Sequence, residues 1–260
     1  MALLLHGESW AANGHLWTIS VEEQFYLVFP FLFAFFSKQR LIAALWICVA
    51  TGPVLRILLT LWFDELPWDD GLKAFAMTVF APAHFDAFSL GALLALFRPF
   101  LASRLGVARG LLGVAIGAAF AYAAVYLSIN AASKGFGGEA LRCIFSGIIW
   151  GQGRQIWVYS VVTGLAAALI ALILSGEGWL RTLCRLPLLQ PIGRISYGAY
   201  IYHLPVLMLH RALWGSSAGE FSLSFSLGKF AFAYLVTLLI AFLSFRYFEE
   251  PILKLRTRFA

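Results

Sequence analysis

Long apolar runs, one after another, constrain this chain more than any other feature. About seven of them approach the ~20 residues a helix needs to cross the hydrocarbon of a bilayer. They cover Val21–Ser37, Leu41–Phe63, Ala74–Phe97, Leu105–Ile129, Ile156–Leu174, Ile195–Leu213 and Leu227–Phe248. In lipid a backbone must satisfy its own hydrogen bonds, so a span is a helix or part of a closed barrel. Barrel strands are short and alternate in polarity, whereas these runs are long and continuous. The expectation is an all-α, polytopic transmembrane bundle of about seven spans. Composition agrees: 61% of the 260 residues are hydrophobic and only 12% charged, against roughly a quarter charged in soluble domains. A single soluble core of this length leaves a large polar skin, and this chain has too little polar surface to make one. No soluble domain, low-complexity linker or internal repeat interrupts the pattern, so residues 1–260 read as one membrane domain.

The charged residues sit in the connections. Lys38 and Arg40 mark the first, Asp64, Glu65, Asp69 and Asp70 the second, and Arg98, Arg104 and Arg109 the third. The fourth, Ser128 to Gln155, is long, Gly-rich and mixed in charge; its apolar piece Cys143–Trp150 is too short to span and reads as re-entrant or interfacial. Arg181, Arg185 and Arg194 mark the fifth, Glu220 the sixth, and Lys254, Arg256 and Arg258 the tail. Basic connections alternate with acidic or mixed ones. The positive-inside rule then places the C-terminus in the cytosol and Met1 outside. The same distribution excludes nucleic acid as a partner: the net charge of +6 is scattered in short clusters, with no basic helix. Cys48, Cys143 and Cys184 are widely spaced and lack a metal-like pairing with His, so neither a metal site nor a bound cofactor is expected. The apolar stretch Ala2 to Leu5 is too short for a secretory signal and has no basic residue before it. So abrupt a start is that of a chain missing its beginning.

Ionisable residues within spans are costly and mark function by default. Three places stand out. The first runs from His15 through Trp17, Ser20, Glu22, Glu23 and Gln24 to Tyr26, entering the first span from outside. Ser20 followed by Glu23 has the form of a capping box, and Glu22 suits the positive end of the helix dipole. Capping needs one acid, however, and here Glu22, Glu23, Gln24 and His15 crowd one entrance. Glu22 and Tyr26 share a helical face. Cap and site are both open readings. The second place is His84 to Ala95. Asp86 lies inside the third span and needs an Arg, a His or a backbone donor. Arg56, in the second span, is a partner either for it or for Glu22. Gly91, Ala92 and Ala95 form a small-residue face suited to close helix packing. The third is Ile192 to Pro205, where Ser196, Tyr200 and His203 share a face. Pro205 cannot donate, so it frees the carbonyl of Ile201 and kinks the helix. Tyr and His at this depth suit a polar pocket wall; the alternative is a buried His satisfied by a neighbouring helix.

Together these residues resemble a known family. The segment HLWTISVEEQFYLVFP, His15 to Pro30, is similar to the signature of the membrane acyltransferase 3 family, commonly Leu-Trp-Ser-Leu-Ser-Val-Glu-Glu-Gln-Phe-Tyr. FDAFSLGALLAL, Phe85 to Leu96, resembles its Asp-x-x-x-x-Gly-x-x-x-Ala span. IGRISYGAYIYHLPV, Ile192 to Val206, is similar to its Gly-x-Ile-Ser-Tyr-x-x-Tyr-x-x-His-x-Pro motif. FRYFEEP, Phe245 to Pro251, resembles the final Glu-x-Pro motif, whose acid falls on Glu249. The motifs stand in family order over nearly the whole chain.

The resemblance implies a fold of roughly ten spans with a cytosolic C-terminus, in a bacterial inner membrane. It implies transfer of an acyl group, usually acetyl, from acyl-CoA as co-substrate to a hydroxyl of a carbohydrate or cell-envelope glycan. The family carries roughly three further spans ahead of the His15 segment, with an Arg and a His implied to be catalytic. This chain therefore reads as the C-terminal portion of such an enzyme, its missing spans supplied in cis or by a partner. His84 stands where the family more often has Arg, which changes the choice of partner for Asp86. A general base takes the acceptor's proton, its oxygen attacks the thioester, and donors stabilise the oxyanion. Glu22, Glu23 and His203 are the catalytic candidates, the two acids orienting or assisting the base. His15, Trp17, Ser20, Tyr26, Asp86, Tyr197 and Tyr200 are the substrate-binding candidates. The arginines Arg98, Arg104, Arg109, Arg181, Arg185 and Arg194 either hold CoA phosphates or only set topology. A transporter or flippase is the rival class, since intramembrane Asp, Arg and His beside a Pro-broken helix suit it too. A non-catalytic remnant is a third reading.

Overall fold

The computed structural model of the chain describes residues 14–135, 141, 144–145, 149–176, 178–214 and 223–256. Among these, every regular element is helical. A 3₁₀ turn at Gly14–Leu16 leads into α1 (Trp17–Phe35), α2 (Lys38–Asp64) and α3 (Asp70–Val79). A second 3₁₀ turn (Ala81–His84) precedes α4 (Phe85–Leu96), α5 (Arg98–Ala102), α6 (Leu105–Lys134) and α7 (Arg154–Leu174). Then come α8 (Gly178–Cys184), α9 (Leu189–Arg194), α10 (Ser196–Trp214), α11 (Leu223–Ser244), a π-helical turn (Phe245–Glu249) and α12 (Glu250–Arg256). The helices group into two compact units, one of Trp17–Arg181 and one joining the segment that ends at Leu16 to Thr182 and beyond.

Among the described residues four helices are long and apolar enough to cross a membrane: Lys38–Asp64, Leu105–Ser133, Arg154–Leu174 and Leu227–Leu255. Their outward faces carry the large apolar side chains that soluble proteins hide. Leu58, Leu61, Val114, Phe120, Leu235 and Leu239 are each more than half exposed, as lipid-facing positions are. The expected continuous third span, Ala74–Phe97, is broken. Asp70–Val79 and Ala81–Leu96 meet at 71°, and they count as a fifth crossing only if the bent pair is one span. Pro82, with no N–H to continue the helix, stands at the break. The count of about seven is therefore not reached by length and hydropathy. The sequence-expected first and sixth spans, α1 and α10, each of 19 residues, fall short. Glu22, Glu23 and Gln24 dilute one apolar run, and His203, His210 and Arg211 the other.

In the first unit α2 packs against α4 and α7, and α6 lies along α7. Leu59, Phe63, Met77 and Ala83 form the core at one end of α2, and Leu41, Leu45 and Leu93 at the other. The close approach of α2 to α4 runs through Gly52, not through the expected face on α4: a Cβ at Gly91 would meet nothing within 4 Å among the described residues, and Gly91 and Ala95 are both exposed. Half of the apolar piece Cys143–Trp150 lies outside the described residues; its end, Trp150, donates Nε1–H to Asp64 Oδ1 at 2.9 Å. In the second unit α10 packs along α11.

Candidate functional site

Two polar clusters bring together residues expected from the sequence, one in each unit. The first grows out of the break at Pro82. In an unbroken helix the carbonyl of Thr78 would accept from the N–H at position 82, which proline lacks. The His84 ring answers it instead, Nε2 donating to Thr78 O at 2.9 Å. The break also leaves the carbonyl of Ala83 facing α2, where Arg56 Nη1 donates to it at 2.6 Å. In the first turn of α4, Asp86 takes a second arm of the guanidinium: Arg56 Nη2 reaches Asp86 Oδ2 at 2.8 Å and Ser160 Oγ at 2.6 Å. Arg56 Nε completes the set on the Ile156 carbonyl at 2.9 Å. Arg56 is wholly buried and Asp86 nearly so. Of the two partners open to Arg56, the structure selects Asp86. Asp86 Oδ1 meanwhile accepts from the N–H of Ala87 at 2.9 Å, so both carboxylate oxygens are engaged.

That arrangement depends on a residue the sequence reading did not mark. Gly52 lies one turn before Arg56 on α2, and a Cβ there would stand 2.5 Å from Asp86 Oδ2. Ser160 and Tyr159 on α7 were missed as well. Tyr159 shares a hydrogen bond with Thr78 Oγ1 at 3.0 Å and stands edge-on to His84, ring centroids 4.8 Å apart. The available signal was the spacing Gly52 to Arg56, which puts a notch beside a charge on one helical face.

The rest of the first-unit candidates lie on α1. Trp17 opens the helix, its ring centroid 6.3 Å from that of His84. Because the helix begins at Trp17, Ser20 is inside it and is not an N-cap. The capping-box reading is therefore corrected: the helix starts upstream of the expected cap, and Ser20 receives Gln24 Nε2 at its carbonyl, 3.1 Å, and at Oγ, 3.4 Å. Glu22 is half-buried; Glu23 and Tyr26 are exposed. Stacking of Phe25 on Phe88, centroids 4.4 Å apart, fixes the face that α1 turns to α4.

The second cluster gathers His15, Tyr200 and His203. Pro205 lies inside α10 and leaves the Ile201 carbonyl without its helical donor. His15 Nε2 donates to that carbonyl at 3.1 Å. The Tyr200 hydroxyl donates to the His15 backbone carbonyl, and His203 stands edge-on to His15 with ring centroids 5.0 Å apart. His203 Nδ1 in turn donates to the Tyr200 carbonyl. His15 is 9% exposed, and its Nδ1 is buried without a hydrogen-bond partner among the described residues. Ser196, expected on the same face as Tyr200 and His203, is exposed and bonds back to the Gly193 carbonyl at 2.8 Å. Tyr197 is 52% exposed. On another side of α10, Glu249 comes close enough that a Cβ on Gly198 would lie 3.2 Å from Glu249 Oε1. Ser244 Oγ donates weakly to the same oxygen at 3.4 Å and shares a bond with the Tyr202 hydroxyl at 3.2 Å. Glu249 ends the π-turn, in which the N–H of Glu250 reaches back to Phe245 O, a geometry frequent at functional sites.

Among the described residues no group of three or more His, Cys, Asp or Glu side chains is placed to hold a metal ion. Both clusters hold hydrogen-bonding groups in fixed orientations between largely apolar helices.

A family model for an acyltransferase domain (Acyl_transf_3) matches residues 2–246. The chain is 23% identical over 248 residues to proteins named O-acetyltransferase OatA from Staphylococcus aureus strains NCTC 8325 / PS 47 and COL. The alignment covers 92% of this chain and 36% of each relative, so the chain spans about a third of the length of these curated relatives. No solved structure matches it.

Proposed function

Since the chain belongs to the acyltransferase 3 family, we propose that it is an integral-membrane O-acyltransferase, moving an acyl group, acetyl by preference, from acyl-CoA to a hydroxyl of a carbohydrate or cell-envelope glycan. The observation that carries this reading is the family match over nearly the whole chain. Similarity to a protein named as an O-acetyltransferase supports the choice of acetyl and of an oxygen acceptor. The acceptor oxygen attacks the thioester carbonyl and the C–S bond breaks. CoA leaves as the thiol, taking up the proton the acceptor sheds. Glu22 and Glu23, in the first unit, are assigned to orienting or assisting the base, and His203, in the second, is a separate catalytic candidate. Asp86, locked to Arg56, keeps α2, α4 and α7 in register.

In this reading α1 and α10 lie in the membrane as well, and with the bent pair the crossings number about seven. The C-terminus is cytosolic, in a bacterial inner membrane, which the alternation of basic and acidic connections supports. Arg98, Arg104 and Arg109 then face the compartment that supplies acyl-CoA.

The test is transfer of label from radiolabelled acetyl-CoA to membrane glycans. Cells express the chain alone, or within a longer reading frame supplying the family's N-terminal spans. Label that disappears in Glu22→Gln or His203→Ala supports the proposal. Folded protein in the membrane with no label in either form defeats it and favours a transporter.

A further inference from the structure

We propose that the first unit binds one anionic phospholipid from the leaflet on its arginine side, with an acyl chain in the groove between α4 and α6 and the phosphate on Arg104 and its neighbours. The inference goes beyond the acyltransferase reading and does not depend on it. It starts from a space the helices leave open. α4 and α6 both pack on α7 but not closely on each other. Between them lies a groove of about 510 Å³, within the ~300–1,000 Å³ usual for small-molecule sites. Leu90, Leu94 and Phe97 on α4 line one side, Leu111 and Val114 on α6 the other, and Trp46 of α2 lines it as well. No ionisable side chain does.

The remaining wall is α7, which offers Gly164, Ala167 and Ala168. Small residues in a membrane helix ordinarily let a second helix come close. Here none does: a Cβ on Gly164 would meet nothing within 4 Å among the described residues. The space is apolar, and no helix of this unit takes it.

Length, opening and charge name the occupant. On α6 the lining residues run from Val107 to Ala118, about 16 Å at ~1.5 Å per residue. That is about half the ~30 Å hydrocarbon thickness of a bilayer, the depth of one leaflet and so of one lipid chain. Trp46 is 50% exposed and Val114 74%, so the groove opens sideways. A sideways opening favours a chain already in the bilayer over one delivered from water. Phe100 lines the groove, and the Arg104 guanidinium lies over its ring, 5.0 Å from the centroid. Arg98 and Arg109 stand to either side in the chain, and all three arginines are exposed. No acidic residue occurs between Asp86 and the end of α6 at Lys134, so this stretch supplies positive charge alone. A guanidinium fork matches a phosphate. A zwitterionic lipid would bring its own ammonium to the same place, which is why the occupant is anionic.

Trp46 reports the site. The chain, alone and within the longer reading frame that supplies the family's N-terminal spans, is placed in phosphatidylcholine vesicles holding a minor fraction of phosphatidylglycerol. Bromine on the phosphatidylglycerol chains quenches any tryptophan they touch, and the Trp46 part is the difference between wild type and Trp46→Phe. A mirror sample carries bromine on an equal fraction of phosphatidylcholine. In both forms of the protein, brominated phosphatidylglycerol should be preferred at Trp46 by about fivefold or more, the factor one arginine near a membrane surface supplies. Arg104→Gln should remove most of that preference. Gly164→Leu keeps every arginine but fills the groove, and should bring the two lipids level. Ala118→Leu fills it from α6 and replaces Gly164→Leu if that variant does not fold. Equal quenching by the two lipids in the wild type overturns the proposal. So does a preference that survives Arg104→Gln or the filled groove, which marks a general surface attraction. Trp46 shielded from both lipids assigns the groove to protein, either the N-terminal spans or a second copy, and overturns it too. Quenching relieved by added palmitoyl-CoA gives the groove to an acyl donor and has the same effect.

Discussion

The tightest spot in the first unit gives the most exacting prediction. In Gly52→Ala the added Cβ would lie 2.5 Å from Asp86 Oδ2 and 2.6 Å from Asp86 Cβ and Cγ. Carbon atoms rest at ~3.5–4.0 Å, so about 1 Å must be found. Two routes are open. If α2 and α4 move apart, overpacking costs about 1–3 kcal/mol, at the upper end here because the clash includes a Cβ that cannot swing away. If the carboxylate leaves Arg56, a wholly buried cation loses its partner, which costs about 3–5 kcal/mol. The cheaper route prevails, and alanine's advantage over glycine within a helix returns about 1 kcal/mol. The expected net loss is about 2 kcal/mol. Gly91→Ala on α4 is the control: with nothing within 4 Å of its new Cβ, it should be neutral or gain up to ~1 kcal/mol. The assay is unfolding of the two purified variants in mixed micelles by denaturing-detergent titration. Gly52→Ala and Gly91→Ala unfolding together would refute the close contact and the reasoning built on it.

Three further outcomes follow from the same geometry. Asp86→Ala strips the counter-charge from Arg56 and should cost about 3–5 kcal/mol in the same titration; wild-type stability would mean the pair does not bear on folding. Ser20→Ala should change stability by less than ~0.5 kcal/mol, since Ser20 is not a cap. Asp69→Ala, which removes a real N-cap on Leu72 N at 2.9 Å, should cost about 1 kcal/mol; a larger loss at Ser20 than at Asp69 would reinstate the capping box. Tyr200→Phe deletes the hydroxyl that holds the His15 carbonyl and should cost about 1 kcal/mol. Unaltered melting of that variant in nanodiscs would argue that the bond is not formed.

The sequence reached the helical class and the lipid-facing character because both follow from apolar runs, which depend only on local order. It reached the freed carbonyl of Ile201 for the same reason: proline's missing N–H is a property of one residue. What fills that carbonyl, His15, lies at the far end of the chain, and no periodicity relates the two. Arg56 was recognised as needing an acid, yet two acids qualified until the break at Pro82 carried Asp86 to it. Pro82 stands inside the apolar run, and hydropathy continues across it, so the run alone does not show the break. The cap at Ser20 failed because helix starts depend on what precedes them, and the turn at Gly14–Leu16 sets the start earlier. Gly91 draws attention in the sequence because it sits among small residues, whereas the contact that needs a glycine, at Gly52, is set by the neighbour across the interface.

A π-turn contains one residue more than the α-helical turn it replaces. Each helical residue rotates the chain by about 100°, so α12 is phased by about that angle from a simple continuation of α11. Here the extra residue falls at Phe245–Glu249, and Glu249 stands against Gly198. Removing a single residue from that stretch would let the backbone close into an ordinary helix, while carrying this carboxylate more than a quarter turn away. A one-codon deletion at this place separates continuity of the helix from the position of one acid, which no substitution can do.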